Sequence, residues 1–356
     1  MSRTRAAHPI RWGLVGYGAG GRTFHRPLIT SARGLHLTTV VTSSAERAEQ
    51  ARAEIPGVTV VAHLADVVAL GVTGVTITTP NATHTALAHE ALQLGLDVVV
   101  DKPFALTAQA AADAVAHAAD SGRLVVPYQN RRLDSDFRTV QSLLAQGELG
   151  TVHSFGSRIE RMRPVKRSWH AGAAAQGGGV LLDLGPHLID QALVLFGPVS
   201  SVAADSQRVR GGVAAEDVFS IRLVHVNGVR SELVASLASA AAGPRFLVNG
   251  DRAGFISYGF DGQEALLKGG ESPASLGDRW GIEPETAWGT LVRGDQQVVV
   301  PSQRGAWDSF YPAVAKAVRR EGPPPVSGTE AVRLATVIDA ARLSAEVGQI
   351  VELAGI

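Results

Sequence analysis

The sequence has no cysteine. That absence removes disulfides, thiolate nucleophiles and thiolate-bound zinc together, and it suits a reducing compartment. Lysine is nearly as scarce: of the 33 basic residues only Lys102, Lys166, Lys268 and Lys316 are lysines. Formal net charge is zero, so no global field gathers nucleic acid or an anionic membrane. No run approaches the roughly 18 apolar residues of a membrane-spanning helix. The start, Met1 to Pro9, is polar and basic, and the first apolar run, Ile10 to Val15, is interrupted by Arg11 and too short for a secretory core. Eleven histidines show no metal-ligand spacing, and no Gly-x-Ser-x-Gly elbow occurs. Metal and acyl-enzyme chemistry are therefore set aside. The expectation is a cytoplasmic protein with no nucleic-acid or membrane partner.

What is present is a chain of 356 residues, 45% hydrophobic and 19% charged. That is the balance of a globular protein with a sizeable core, and its length favours two domains. The first third alternates strand-like runs (Ile10–Val15, Leu35–Thr42, Val58–Val61, Gly74–Thr78, Asp97–Val100, Leu124–Pro127) with helical patterns at 22–30, 45–54, 64–70, 84–94 and 107–120. Such alternation predicts a doubly wound parallel sheet covered on both faces. After Pro127 the rhythm changes. A helix is expected over Asp134–Gln146, a strand over 151–161, a basic and Gly/Ala-rich loop from Arg163 to Gly179, and a helix over Gly185–Phe196. Successive runs at 199–209, 217–226, 229–238, 245–249, 254–258 and 296–300 suggest one large, mostly antiparallel sheet, followed by helices at 309–320 and 329–346. The fold class expected is α/β, with a dinucleotide-binding domain over 1–128 and a substrate-binding domain over 129–356.

Gly16-Tyr17-Gly18-Ala19-Gly20-Gly21 supplies Gly-x-Gly-x-x-Gly between the first strand and a helix. This order provides a tight turn, close approach of backbone to a pyrophosphate, and amides facing an anion. A carboxylate that would bond the ribose 2′-hydroxyl of NAD is absent at the end of the second strand, where Ser43 and Ser44 stand. Hydroxyls with Arg47 or Arg22 nearby suit a 2′-phosphate, so NADP is favoured and NAD is the alternative. The serines also suit a helix cap, and both readings can hold at once. Thr78-Thr79-Pro80-Asn81 follows the fourth strand, at the end that faces a ligand in such sheets.

Asp101-Lys102-Pro103 follows the fifth strand. A lysine there, in a chain that uses Arg almost everywhere else, can hydrogen-bond a hydroxyl and stabilise the alkoxide that develops as hydride leaves. Asp183 and His187 stand four residues apart, one helical face once the helix has begun. An imidazole suits removal of a hydroxyl proton, and a carboxylate can orient it. The other reading of Asp183 is a helix cap, with Pro186 in the first turn.

These pieces in this order resemble the glucose–fructose oxidoreductase/inositol dehydrogenase/MocA family, over nearly the whole chain. The family's Glu-Lys-Pro motif is similar to Asp101-Lys102-Pro103, with Asp replacing Glu, and its Asp-x-x-x-His pair is similar to Asp183 and His187. Within the family the chain resembles the NADP-dependent scyllo-inositol dehydrogenase branch. The strings that carry this are Gly16-Tyr17-Gly18 with Thr23-Phe24-His25-Arg26-Pro27-Leu28, Asn130-Arg131-Arg132-Leu133-Asp134-Ser135-Asp136-Phe137, Arg163-Pro164 and Tyr258-Gly259-Phe260-Asp261-Gly262-Gln263-Glu264. Two departures border the expected pocket: Leu133 stands where the branch has Trp, and the loop Pro164–Trp169 is one residue shorter.

The resemblance implies an NADP-dependent exchange of hydride with a secondary alcohol or ketone of a cyclitol or sugar, in a homo-oligomer (dimer or tetramer). It implies catalytic roles for Lys102, Asp183 and His187. Cofactor contacts are expected from Gly16, Tyr17, Gly18, Gly21, Thr23, Phe24, Thr42, Ser43, Ser44, Arg47, Thr79, Pro80, Asn81, His84, Lys102, Pro103 and Asn130. Substrate contacts are expected from Lys102, Asn130, Arg131, Arg163, Trp169, Asp183 and His187. The rival readings are an NAD(P)-dependent aldose or ketosugar oxidoreductase of the same family and a non-catalytic dinucleotide sensor.

Overall fold

The computed structural model describes residues 8–165, 173 and 177–354. Six parallel strands form the first sheet: β1 (Ile10–Val15), β2 (Leu35–Val41), β3 (Thr59–Val61), β4 (Gly74–Ile77), β5 (Asp97–Val100) and β6 (Val125–Pro127). Their spatial order is β3-β2-β1-β4-β5-β6. This is the doubly wound order, whose direction reverses between β1 and β4, and ligands bind at that reversal, outside the carboxyl ends of the strands. Every residue of β4 and β5 is buried, which is why these strands read as Gly-Val-Thr-Ile and Asp-Val-Val-Val rather than as alternating ones. Helices α1 (Arg26–Ser31), α2 (Ala45–Glu54), α3 (Asp66–Ala69), α4 (His84–Gln93) and α5 (Ala108–Asp120) connect the strands. The helix expected from residue 22 begins earlier, as a π-helical turn over Gly20–His25 that runs directly into α1.

The second sheet has nine strands: β7 (Val152–Glu160), β8 (Val199–Gln207), β9 (Val218–His225), β10 (Arg230–Ser236), β11 (Phe246–Gly250), β12 (Gly254–Ser257), β13 (Gly289–Arg293), β14 (Gln296–Val300) and β15 (Val351–Glu352). They are ordered β14-β13-β12-β11-β7-β10-β9-β8-β15. All the pairs are antiparallel except β7 with β10. The alternating burial of β7 and β9 shows one face covered and the other open. Helices α6 (Ser135–Ala145), α7 (Val180–Asp183), α8 (Gly185–Phe196) and α12 (Gly328–Val347) supply the covering layer, and α9 (Gln263–Lys268), α10 (Pro273–Leu276) and α11 (Phe310–Val318) lie toward the first sheet.

The last helices return to the first sheet. Ala331 and Ala335 of α12 join the core around Ala111, Ala114 and Ala118 of α5, while Phe310, Tyr311 and Val314 of α11 pack with Trp12, Leu28 and Leu37. Alanines three to four residues apart on α5 place small side chains on one stripe, which lets α12 approach closely. Helix α12 opens on a capping box, Ser327 with Glu330, and stops at Gly348 in the left-handed region.

Arg132 ties these layers together. It holds Asp190 of α8 bidentately, through Nε at 2.7 Å and Nη2 at 2.6 Å, and Glu330 of α12 through Nη1 at 2.6 Å. Burial raises the Asp190 pKa, against which Arg132 pulls it down. Arg132→Ala leaves Asp190 buried without its cation. We expect a loss of about 3–5 kcal/mol, read as a lower thermal unfolding midpoint. An unchanged midpoint would contradict the role given to this cluster.

Candidate active site

The glycine turn follows from close packing as much as from ligand approach. Gly16 has φ +92°, and a Cβ there would stand 3.2 Å from the backbone and hydroxyl of Thr78. A Cβ on Gly21 would lie 2.3 Å from the carbonyl oxygen of Gly16. These two glycines therefore let the β1 turn sit against the β4 loop. Thr78 locks the arrangement, its hydroxyl donating to the carbonyls of Val15 (3.1 Å) and Gly16 (2.9 Å). Gly18 differs. Around its would-be Cβ the nearest group is the Arg47 guanidinium, at 3.9 Å, so this backbone faces open space beside a cation.

That space is the mouth of a cleft of about 720 Å³. From the first sheet it is lined by Gly16, Gly18, Gly20, Phe24, Arg47, Thr79, Pro80, Asn81, His84 and Lys102. From the other side come Asn130, Arg131, Arg161, Arg163, Asp183, His187 and Glu264. Most of the expected site is thus gathered in one place. Tyr17, Gly21, Thr23, Thr42, Ser43, Ser44 and Pro103 are not among the lining residues. Tyr17 is buried, with its hydroxyl donating to Glu54 at 2.8 Å. Ser44 caps α2, accepting from the Arg47 amide at 3.4 Å. Trp169 lies outside the described residues.

Two expected contact residues also act as struts. Asn81 donates its side-chain amide to the Gly177 carbonyl at 2.9 Å, bridging the β4 loop to the turn before α7. His84 sets its two ring nitrogens 2.8 Å from the carbonyls of Pro103 and Thr79, joining the loops after β4 and β5.

Lys102 reaches across the cleft from the end of β5. Its Nζ donates to the Asp183 carboxylate at 2.5 Å and to the Asp183 carbonyl at 3.1 Å. Asp183 is placed by the start of α7. There Glu216 accepts from the Leu181 amide at 3.0 Å, and a Cβ on Gly179 would lie 2.3 Å from the same carboxylate. Gly179 has φ +94°, so both its conformation and its surroundings call for glycine.

The four-residue spacing to His187 does not produce the expected pair. Helix α7 ends at Asp183 and α8 starts at Gly185, with Leu184 between them and Pro186 unable to donate. The carboxylate turns to Lys102, and among the described residues His187 Nδ1 is enclosed without a hydrogen-bond partner. Burial, then the positive charges of Arg131, Lys102, Arg245 and Arg161, hold the His187 pKa well below its ordinary value. The imidazole is accordingly neutral near pH 7, the form that can accept a proton.

Several lining groups lie outside the expected set. Asp101 receives the Lys102 amide at 2.8 Å and stands 3.4 Å from His25 Nε2. Burial raises the Asp101 pKa, but His25 and Lys102 outweigh it, and the net direction is down. Glu264 bonds Arg131 at 2.6 Å and also pairs with Lys268. Despite burial these cations hold its pKa at about 2. Arg131 in turn bonds Asp134 at 3.1 Å. Arg161, Arg210 and Trp307 complete this side. Strings around Asp101, His25 and Glu264 carried the resemblance, whereas Arg161 had no signal beyond its place two residues before Arg163.

A parallel sheet in this strand order, with a glycine turn opening on a cleft that a second, largely antiparallel sheet closes, defines a dinucleotide-dependent oxidoreductase of two-sheet architecture. Comparison with known proteins agrees. Residues 10–129 match an oxidoreductase family described by its NAD-binding Rossmann fold, and residues 137–256 match the GFO/IDH/MocA C-terminal domain. The chain belongs to the GFO/IDH/MocA family of oxidoreductases. It is 37% identical over 335 residues to the uncharacterized oxidoreductase YdgJ of Escherichia coli, covering 93% of this chain and 94% of that one. It is 31% identical over 348 residues to the scyllo-inositol 2-dehydrogenase (NADP(+)) IolW of Bacillus subtilis, covering 96% and 95%. The solved structure of the putative oxidoreductase yvaA from Bacillus subtilis superposes with a TM-score of 0.91 at 30% identity, covering 98% and 99%.

The enclosure of His187 has a consequence for stability. Its pKa in the folded protein lies below the unfolded value of 6.5, so the unfolded chain takes up the proton first as pH falls. The contribution is complete above pH 6.5 and is lost as pH drops toward the folded value. His225, also lowered chiefly by burial, acts in the same direction. Unfolding midpoints should therefore decline between pH 7.5 and 5, and His187→Gln should make that decline shallower. Equal slopes in the two proteins would contradict the assignment.

Proposed function

We propose that the protein is an NADP-dependent oxidoreductase acting on a secondary alcohol, or the corresponding ketone, of a cyclitol or sugar, with a scyllo-inositol-like ring favoured. The observation that carries this reading is that Lys102 and His187, from different halves of the chain, line one cleft beside the glycine turn. Gly16, Gly18 and Arg47 fit a dinucleotide, with open backbone at Gly18 and a cation next to it. Bound there, NADP supplies or accepts the hydride. The similarity to an NADP-dependent scyllo-inositol 2-dehydrogenase over 96% of the chain supports both the cofactor and the substrate class.

The chain's own part concerns the hydroxyl proton and the oxygen's charge. His187, neutral and buried, accepts the proton of the reacting hydroxyl. Lys102 donates a hydrogen bond to the same oxygen and stabilises negative charge as it develops. Asp183 holds the ammonium in place and neutralises it in the resting site. In the reverse direction, protonated His187 returns the proton to the oxygen of the ketone.

Lys102→Ala and His187→Ala should each reduce turnover about 10²–10⁴-fold, the range for removing an acid–base or oxyanion partner. NADPH affinity, followed by fluorescence titration, should change far less. The double variant should lose much less than the product of the single losses, because both groups act on one proton transfer. Near wild-type turnover in His187→Ala would remove the histidine from this role.

Cofactor choice is tested separately. Thr42, Ser43 and Ser44 follow β2 with no carboxylate before Glu46 of α2, and Arg47 lies beside Gly18. NADP should bind more tightly than NAD, and Ser43→Asp should reverse the order by setting a carboxylate against the 2′-phosphate. Dissociation constants of both cofactors decide it, and tighter NAD binding by the wild type would refute the preference.

A further inference from the structure

The cleft contains more positive charge than its resting partners use. Lys102 is paired with Asp183, Arg131 with Asp134 and Glu264, Lys268 with Glu264, and Arg210 with Asp217 at 2.7 Å. Arg161, at the end of β7, differs. Among the described residues its guanidinium has no carboxylate within ion-pair distance and no hydrogen bond, and its Nε is enclosed without a partner. The stretch from Arg161 to Leu182 holds no Asp or Glu, so that part of the chain cannot supply a counter-charge. Arg163 lines the same wall and is exposed.

Arg161 is at the reacting end of the cleft. Its charge acts on His187, and the charges that act on it are those of Glu264, Arg163, Asp183 and Arg131, none of them from the glycine turn. Burial, reinforced by Arg163 and Arg131, draws its pKa down, as for a cation short of counter-charge. The cofactor's phosphates belong to the other end, at Gly18 and Arg47. A partly buried guanidinium without a partner is costly, and a ligand's oxyanion is the group that matches its fork of donors.

We propose that the physiological substrate is an anionic polyol, and that Arg161, supported by Arg163, binds its carboxylate or phosphate while the reacting carbinol lies at Lys102 and His187. This rests on the polyol oxidoreductase reading and narrows its substrate class. A neutral ring uses Lys102 and His187 but leaves Arg161 unpaired. An acid derived from a sugar or cyclitol satisfies both ends. The shared chemistry is an oxyanion, from a carboxylate of an aldonic or uronic acid or from a phosphate ester of a polyol.

The test compares kcat/KM with NADP for neutral inositols, aldonates and uronates, and polyol phosphates, in the wild type, Arg161→Gln and Arg161→Lys. The wild type should prefer one anionic class over the matched neutral polyol by at least roughly 10-fold. Arg161→Gln should cut that preference about 10–100-fold, the scale of a lost charge-assisted hydrogen bond. Arg161→Lys, which keeps charge but lacks the fork, should fall between them. It also serves if the Gln variant does not fold. Whichever class is preferred identifies the source of the oxyanion. Calorimetric titration of NADPH-loaded protein with gluconate and with a polyol phosphate reads binding without turnover. Binding of one of them should weaken with salt and with loss of Arg161. An anionic-to-neutral ratio near one in the wild type, or a ratio and anion affinity unchanged in both variants, would overturn the proposal. No turnover of any polyol alongside Arg161-dependent anion binding would instead overturn the oxidoreductase reading and leave the anion site standing.

Discussion

The ion pair between Lys102 and Asp183, across the seam between the two sheets, organises the cleft. Lys102 stands at the carboxyl end of β5, and Asp183 at the end of α7, a helix that packs on the second sheet. Each charge offsets part of the cost of burying the other. The pair therefore constrains how the two halves meet. Its acidic side is set by the turn before α7, where Gly179 allows Glu216 to close on the Leu181 amide. Its basic side is set by β5, whose following loop is tied to the β4 loop through His84. Asn81, bound to the Gly177 carbonyl, joins the two sides a second time.

Burial, and then the positive charges of Arg131, Lys102, Arg245 and Arg161, hold the His187 pKa well below its ordinary value, and the Asp183 carboxylate bonds Lys102 rather than the imidazole. In the proposed reaction a neutral imidazole near an ammonium would divide the work: one would remove a proton, the other would stabilise the charge left behind. Asp101 contributes from behind. It fixes the Lys102 amide and stands by His25, which is itself held by the Tyr311 hydroxyl at 2.5 Å. The replacement of Glu by Asp in this motif thus retains a carboxylate that supports the loop from which the lysine projects.

Much of this was legible in the sequence, for physical reasons. Buried parallel strands are rich in apolar and β-branched residues and carry few charges, so β1, β2, β4 and β5 declared themselves, and the glycine turn marked the cleft end of the sheet. The antiparallel sheet was recognisable from its succession of runs, although β13, β15 and the short helices α9 and α10 were missed, being brief and set among glycines and charges. The partner of Asp183 was not legible. Four-residue spacing implies one face only on a continuous helix, and the break at Leu184 and Pro186 redirects the carboxylate to a lysine 81 positions away. Nor could the return of α11 and α12 to the first sheet be read, because alanine stripes on α5 and α12 carry no address. Arg161 looked like one more arginine in an arginine-rich chain. Only the ion-pair geometry separates it from Arg131 and Arg132, whose charges are already matched.

In the proposed reaction this cleft brings a carbinol carbon against the nicotinamide while Lys102 and His187 manage its oxygen. Isotope transfer tests this most directly. A polyol carrying deuterium on the reacting carbon should pass that deuterium to the reduced cofactor, detected by mass spectrometry. Turnover under conditions where chemistry limits the rate should slow with the deuterated substrate, and the label should be lost from the ketone product. Reduced cofactor that forms without deuterium, or no reduced cofactor with any cyclitol, sugar or polyol acid, would contradict the account.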